Sequence, residues 1–270
     1  MTLTEAIAAR HSVRRYKHQP LPEDIVATLQ AKIAECNSLG SLHIQLVTNE
    51  TRAFSGPLAY GQFSGVENYF VMAGRKGNAP LSADAGEESA AVVSLDERIG
   101  YYGEQLVLLA QQLGLNTCWA GLSYRKVSQA YDLARDEKIC CMIALGYGET
   151  QGASHKIKTE KDVIRVAAAA VAESRREASR PTSAVDACPS QDASTPLPSW
   201  FRQGVQAALL APTAINQQKF YFEYIAPHGD GIPQVRAHRG FSLVGYTHMD
   251  LGIARLHFEI GAGKENFQWA

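Results

Sequence analysis

The chain has 270 residues, of which 46% are hydrophobic and 20% are charged, and its 26 basic residues balance 27 acidic ones to a net charge of −1. This composition is typical of a soluble globular protein, and it disfavours nucleic acid as the main partner because polyanion binders usually carry a strong positive charge. Five cysteines without C-x-x-C spacing predict neither a disulfide framework nor a zinc site. No apolar run is long enough to span a membrane, so we expect a cytoplasmic protein.

Periodicity in the first third predicts two helices and two strands. The helices are expected over 4–10 and 25–36, and the strands over 42–47 and 68–73. Between the two helices, RHSVRRYKHQP at 10–20 gathers four basic side chains and two histidines into eleven residues. This local positive patch predicts an anion-binding segment at a helix end.

The middle of the chain has the strongest patterning. An apolar face over 98–114 predicts a long helix that carries the small residues Gly100 and Gly103 and ends at Gly114. Such a face permits close approach of another helix or of a flat ligand. The next predicted elements are a helix over 123–133 and a buried central strand at ICCMIALGYGE, 139–149.

Composition changes at about residue 167, where Ala, Ser, Pro and charged residues become frequent. We predict a first half at 1–166, a linker at 167–199 and a shorter second half at 200–270. The second half should contain a helix at SWFRQGVQAALLAP, a turn at TAINQQ, a strand at KFYFEYIA, a strand around SLVGY and a helix at MDLGIARLHFEIGAG. Both halves follow a similar order of elements, which suggests an internal duplication.

Three stretches carry a resemblance to a known family. They are RHSVRRY at 10–16, GEQLVLLAQQLGLNTCWAGL at 103–122 and ALGYGE at 144–149. Together they resemble the nitroreductase family, FMN-dependent enzymes that normally form intertwined homodimers with two flavins at the subunit interface. The resemblance implies an α+β fold of the nitroreductase type, with three layers in α-β-α order.

The two halves of the family's flavin site are split within this one chain. In the family, one subunit supplies Arg-x-Ser-x-Arg/Lys and its partner supplies Ala-Pro-Ser-x-x-Asn-x-Gln. The first half here has Arg10, Ser12 and Arg14 without the second pattern, and the second half has APTAINQQ at 211–218 without the first. The chain therefore resembles a family dimer in a single polypeptide with two pseudo-symmetric halves. This implies one FMN per chain and a monomer, with a homodimer as the alternative.

The resemblance also implies which residues contact the flavin phosphate. A phosphate dianion needs charge-assisted donors, and Arg10 with Ser12 can offer a guanidinium and a hydroxyl side by side. Lys156 and Lys158 are implied as further phosphate contacts. Arg14 would lie near the pyrimidine edge of the ring, where reduction adds negative charge.

The ring itself needs hydrogen bonds at its edge and an apolar surface against its face. The resemblance implies that the backbone of 120–122 faces N5 and O4 and that Asn216 and Gln218 contact the ring edge and the ribityl hydroxyls. No metal, catalytic acid or catalytic base is expected. The candidate cofactor-binding residues are Arg10, His11, Ser12, Arg14, Trp119, Ala120, Gly121, Leu122, Lys156, Lys158, Pro212, Thr213, Ala214, Asn216 and Gln218.

The activity implied is that of an FMN-dependent NAD(P)H oxidoreductase. NADH or NADPH would give hydride to flavin N5, and a nitroaromatic, a quinone or a similar small-molecule acceptor would take it. The sequence has no G-x-G-x-x-G, as expected if the nicotinamide only visits the flavin cleft. Two alternatives remain open: an FMN-binding protein without turnover (a sensor, store or flavin-modifying relative), and a polyanion adaptor that uses RHSVRRYK and binds no flavin.

Overall fold

The structure is a computed structural model that describes residues 1–56, 62–82, 92–167, 197–227, 229 and 231–270. The helices are α1 (Leu3–Ala9), α2 (Glu23–Gly40), α3 (Leu95–Gln112), α4 (Glu160–Val163), α5 (Ser199–Leu209) and α6 (Thr247–Ala262). The strands are β1 (Gln45–Val47), β2 (Asn68–Arg75), β3 (Asn78–Pro80), β4 (Val92–Ser94), β5 (Asn116–Ala120), β6 (Glu137–Gly146), β7 (Ile164–Val166), β8 (Phe220–Ile225), β9 (Gln234–Arg239) and β10 (Gln268–Trp269). Most of the predicted linker at 167–199 lies outside the described residues.

The strands form two four-stranded sheets and a small hairpin, β3-β4. Sheet 1 has the order β1-β2-β6-β5 with antiparallel neighbours, and β6 lies at its centre, as ICCMIALGYGE predicts. Sheet 2 has the order β10-β9-β8-β7, in which β8 and β9 are antiparallel and the outer strands run parallel to their neighbours. The strand β7 comes from the end of the predicted first half and nevertheless joins sheet 2.

Helices α3 and α6 lie between the two sheets. Helix α3 packs against β2, β5 and β6 of sheet 1, α6 packs against β8 and β9 of sheet 2, and α3 and α6 pack against each other. One apolar core therefore runs from sheet 1 through the helices to sheet 2. The mixed α+β class is confirmed. The packing runs from sheet 1 through α3 and α6 to sheet 2, whereas the resemblance implied layers in α-β-α order. The internal duplication stays a prediction.

Two glycines bring α3 and α6 into backbone contact. A Cβ atom on Gly100 would overlap the carbonyl oxygen of Met249, and one on Gly252 would overlap that of Glu97. The small-residue face of α3 therefore accommodates a helix at Gly100. At Gly103 it accommodates neighbouring side chains instead, those of Trp119 and Met72.

The helix expected over 123–133 is wrong. This segment is irregular, and the Arg125 amide donates to the carbonyl oxygen of Ala53 at 2.8 Å instead of to a residue one helical turn earlier. Tyr124 and Val127 pack in a second apolar cluster on the outer face of sheet 1. Contacts with neighbouring segments thus replace the helical hydrogen bonds, and the apolar spacing reflects packing on the sheet.

The strand expected around SLVGY, 242–246, is also wrong. The strand in this region is β9, which lies earlier in the chain. Its pairing with β8 ends where the Gly240 amide donates a 2.7 Å hydrogen bond to the Lys219 carbonyl. Gly245 and Tyr246 then take left-handed φ angles of 79° and 59°, which turn the chain into α6. The apolar residue Leu243 is 92% exposed, so this run is an apolar loop.

The remaining predicted elements are confirmed, with shifts of a few residues at their ends. Helix α3 begins earlier than expected because the Ser94 hydroxyl accepts a hydrogen bond from the Glu97 amide at 3.2 Å. It ends before Gly114, which takes a left-handed φ of 78°. Among the described residues, no helix combines the length and apolarity required to cross a membrane.

Candidate functional site

The basic segment after α1 runs along the β5 edge of sheet 1. Ser12 bridges Thr117 in parallel, and the Val13 amide donates to the Thr117 carbonyl at 3.0 Å. Because extended backbone points successive side chains to opposite sides, Val13 is buried whereas Ser12 and Arg14 are exposed. Arg10 precedes this extended part and is buried, with 3% of its surface exposed. The segment therefore presents Ser12 and Arg14 on one side.

The end of β5 provides a second wall. The Trp119 indole Nε1 donates to Glu104 Oε2 at 3.0 Å, which fixes the ring against α3. Beyond β5, a Cβ atom on Gly121 would lie 2.6 Å from the Tyr246 ring. Glycine therefore allows Tyr246, from the loop before α6, to lie directly on the backbone at this point. Leu122 follows and is 77% exposed.

The segment between α5 and β8 has unusual backbone geometry. Ile215, Asn216 and Gln218 take left-handed φ angles of 46°, 56° and 46°. Non-glycine residues adopt this region rarely, and a β-branched residue such as Ile215 is an outlier there. Such conformations persist only where the surroundings enforce them, and they cluster at binding sites.

Asp250 of α6 holds one side of this segment. Its carboxylate accepts hydrogen bonds from the Ala214 amide at 2.9 Å and from Gln217 Nε2 at 2.6 Å. Burial raises the pKa of Asp250 to about 6, although both hydrogen bonds favour the charged form and oppose the rise. A buried carboxylate with a raised pKa that lines a cavity is typical of a functional site.

Residues 156–158 hold the other side. Lys158 Nζ donates to the Gln218 carbonyl at 2.6 Å, and the Lys158 amide donates to Gln218 Oε1 at 2.8 Å. Asn216 Nδ2 donates to the carbonyl oxygen of Lys156. Lys158 and Gln218 were both expected to contact the ligand. Instead they bond to each other and stabilise the conformation of the segment between α5 and β8.

These three segments enclose a cavity of about 620 Å³, within the range of small-molecule sites. Eleven of the fifteen candidate residues line it: Arg10, Ser12, Arg14, Trp119, Ala120, Gly121, Leu122, Pro212, Thr213, Ala214 and Asn216. The cavity thus brings together the basic segment of the first half and the strained segment of the second.

Four candidates do not line the cavity: His11, Lys156, Lys158 and Gln218. His11 contacts the backbone near Gly152, and Lys156 is exposed. Lys158 and Gln218 bond to each other beside the segment. An assignment of these four as ligand contacts therefore stays a prediction without support from the cavity.

Several cavity residues were missed by sequence reasoning, notably His155, Tyr246 and Asp250. A usable signal existed for Asp250, because a lone acid in the apolar run MDLGIA is unusual for a buried helix face. His155 lies in the basic stretch ASHKIK, and its pKa is lowered by burial and then by the charge of Arg10. The sequence around Tyr246 contains no pattern that indicates a binding residue.

A wider cleft of about 950 Å³ lies on the other side of Arg14 and Phe63. It carries mixed charges, with Arg15, His18 and Glu67 in its lining, and in the His18–Glu67 pair at 2.7 Å the histidine is largely exposed. An exposed pair of this kind contributes little binding energy. We therefore place the candidate site in the smaller cavity.

Solved structures with similar folds include a putative nitroreductase from Thermotoga maritima, with 19% identity, a TM-score of 0.55 and coverage of 98% of this chain and 85% of that one. A putative NADH dehydrogenase/NAD(P)H nitroreductase from Bacteroides thetaiotaomicron has 17% identity, a TM-score of 0.43 and coverage of 60% and 95%. An FMN-dependent nitroreductase from Clostridium difficile has 14% identity, a TM-score of 0.38 and coverage of 58% and 92%. No curated protein sequence matches this chain. The family model described as "Putative TM nitroreductase" matches residues 2–262, and the chain therefore belongs to that nitroreductase family.

Proposed function

We propose that the protein is an FMN-dependent oxidoreductase that takes hydride from NADH or NADPH and passes it to a small acceptor such as a nitroaromatic or a quinone. The proposal rests on family membership and on one observation. The basic segment at 10–14 and the strained segment at 212–216, which are far apart in the sequence, line the same cavity. One chain can therefore complete one site, and we propose a monomer.

The residues of the cavity fit a phosphate group. Arg10 is almost fully buried, and its Nε has no hydrogen-bond partner within the described ranges. Buried donors normally have partners, so a partnerless one at a cavity wall favours a bound ligand. Ser12 offers a hydroxyl on the same cavity. A phosphate dianion would accept charge-assisted hydrogen bonds from both.

The remaining walls fit a flat ring. Residues 120–122 and the turn at 212–215 line the cavity with backbone and with small or apolar side chains. Leu122 and Ile215, both largely exposed, offer an apolar surface that excludes water from a ring face. Arg14 places a positive charge beside the cavity, where it would stabilise negative charge on a reduced ring. When bound, FMN would supply the hydride chemistry, and the protein would supply binding, orientation and electrostatics.

The visible spectrum of the purified chain, with released flavin identified and counted, is the first test. We expect one FMN per chain. Bleaching by NADH or NADPH, with recovery on adding an acceptor, would support turnover. Bound FMN that stays oxidised would indicate a binding protein without turnover, and failure to take up FMN would overturn the proposal.

Replacement of Arg10 by glutamine should weaken FMN binding by about 1.5–3 kcal/mol, the usual cost of losing a hydrogen bond to a charged group. Riboflavin lacks the phosphate, so its affinity should change little. Arg15→Gln is the matched control, because Arg15 belongs to the same basic stretch and does not line this cavity. Quenching of flavin fluorescence gives both dissociation constants. An equal loss of affinity for riboflavin would show that Arg10 does not bind the phosphate.

A further inference from the structure

Glu104 is a fully buried carboxylate beneath the candidate site. It lies on α3, and none of its surface is exposed. Its Oε2 accepts from Trp119 Nε1 at 3.0 Å, and its Oε1 lies 2.9 Å from His257 Nε2. Charged groups are almost never fully buried unless they are paired, because burial without a partner is costly. A specific role for Glu104 is therefore expected.

Arg10 is the cation that Glu104 faces on the cavity side. Arg10 Nε lies 3.7 Å from Glu104 Oε1, close enough for attraction but too far for a hydrogen bond. Arg10 Nη2 also lies 3.5 Å from the Leu210 carbonyl oxygen, at the limit of a hydrogen bond. Glu104 therefore balances the charge of Arg10 without occupying its donors. Burial lowers the pKa of Arg10, and the charge of Glu104 opposes that effect.

His257, also fully buried, completes the group. Its Nδ1 lies 3.1 Å from the Ala207 carbonyl, and its Nε2 faces Glu104, so both ring nitrogens face acceptors. Both carboxylate oxygens of Glu104 therefore have a partner, Trp119 Nε1 at Oε2 and His257 Nε2 at Oε1.

Among the described residues, Glu104 is the carboxylate that lies within 4.0 Å of Arg10. Asp250, which also lines the cavity, is hydrogen-bonded to the Ala214 amide and Gln217 instead. The charge of Arg10 also lowers the pKa of His11 and His155, after the larger effect of burial. An anion in the cavity would therefore be attracted by the positive charge of Arg10 and could accept charge-assisted hydrogen bonds from it.

We propose that Glu104 is a positioning residue for Arg10. It holds the guanidinium at the cavity wall without occupying the Nε donor, so that Arg10 can bind the phosphate of FMN. This inference rests on the proposed function. It predicts that Glu104 determines the preference for FMN over riboflavin, although Glu104 itself touches neither molecule.

The test is Glu104→Gln, with dissociation constants for FMN and riboflavin measured on the purified apo chain by fluorescence quenching. The amide can still bond to Trp119 and to neutral His257, but it offers Arg10 no charge. We expect the FMN dissociation constant to rise about tenfold, as is common when a supporting carboxylate is lost, and that of riboflavin to stay within about twofold. In the Arg10→Gln background, Glu104→Gln should not change the preference further.

Glu259→Gln is the matched control. Glu259 is also buried and also accepts from an indole, Trp269 Nε1 at 2.7 Å, but it contacts Tyr101 instead of Arg10. Its variant should keep the full preference for FMN. If Glu104→Gln lost affinity for FMN and riboflavin equally, or kept the wild-type preference for FMN, the inference would be overturned.

Two further outcomes separate this inference from the proposed function. A wild-type chain that binds FMN and riboflavin equally well would refute the positioning role and leave the oxidoreductase proposal intact, whereas one that binds neither flavin would refute both. If Glu104→Gln does not fold, Glu104→Asp is measured instead. It keeps the charge but withdraws it by one methylene, so a reduced FMN preference is expected, and an unchanged one would overturn the inference.

Discussion

Replacing Gly252 by alanine is expected to lower the free energy of unfolding by about 3 kcal/mol, at the upper end of the usual cost of overpacking. The new methyl group would overlap the Glu97 carbonyl oxygen of α3, and the Tyr101 amide lies only 2.8 Å from the same position. Backbone atoms cannot rotate away as a side chain can. Helices α3 and α6 would therefore have to separate, and they connect the two sheets.

Urea unfolding followed by tryptophan fluorescence measures this loss. His248→Ala is the control, because His248 is an exposed residue of the same helix and its loss should change stability by less than about 0.5 kcal/mol. If Gly252→Ala unfolded at the same urea concentration as His248→Ala, the backbone contact between α3 and α6 would be refuted. Loss of the contact should also weaken FMN binding, since α6 carries Asp250.

Asp250→Asn is expected to stabilise the protein at neutral pH. Burial raises the pKa of this carboxyl from 3.8 to about 6, so the folded state binds the proton more tightly than the unfolded state. The contribution of Asp250 to stability is therefore most favourable below pH 4, falls as pH rises to about 6, and stays low above that. At pH 7 this shift of the pKa lowers the free energy of unfolding by about 3 kcal/mol relative to low pH, by proton linkage. Asparagine has no charge to bury and can still accept from the Ala214 amide.

The free energy of unfolding of both proteins should be measured between pH 4 and pH 7. The free energy of unfolding of the variant should rise relative to that of the wild type as pH increases. The difference between the two free energies should become smaller towards pH 4. Asp132→Asn makes the same chemical change at an exposed position and should show no such trend. A difference that does not vary with pH would mean that the Asp250 carboxylate is not buried in its charged form.

Local sequence chemistry predicted a large part of the fold and of the candidate site. Apolar periodicity located α3, β6 and α6, because each buries one face or one run of residues. Arg10, Ser12 and Arg14 were found because charged and hydroxyl residues stand close together in a short segment. The turn at 212–216 was found through the resemblance of APTAINQQ to the family's Ala-Pro-Ser-x-x-Asn-x-Gln pattern.

The corrections concern residues whose partners are distant in sequence. The segment 123–133 has helical spacing but packs on sheet 1 through contacts with Ala53. Lys158 was expected at a phosphate, yet its ammonium bonds to the Gln218 carbonyl. A lysine side chain can bond equally well to a ligand or to a backbone carbonyl. The neighbouring sequence does not specify which of the two it binds.

The sequence by itself determined the α+β class, the family and eleven of the residues that line the cavity, because these depend on patterns within a few residues of each other. Only the tertiary structure decided which charges are buried and what they face. Glu104 meets His257, and Asp250 meets the Ala214 amide, across large separations in the chain. The energy of a buried charge depends on the groups that packing brings beside it, and local spacing does not specify those groups.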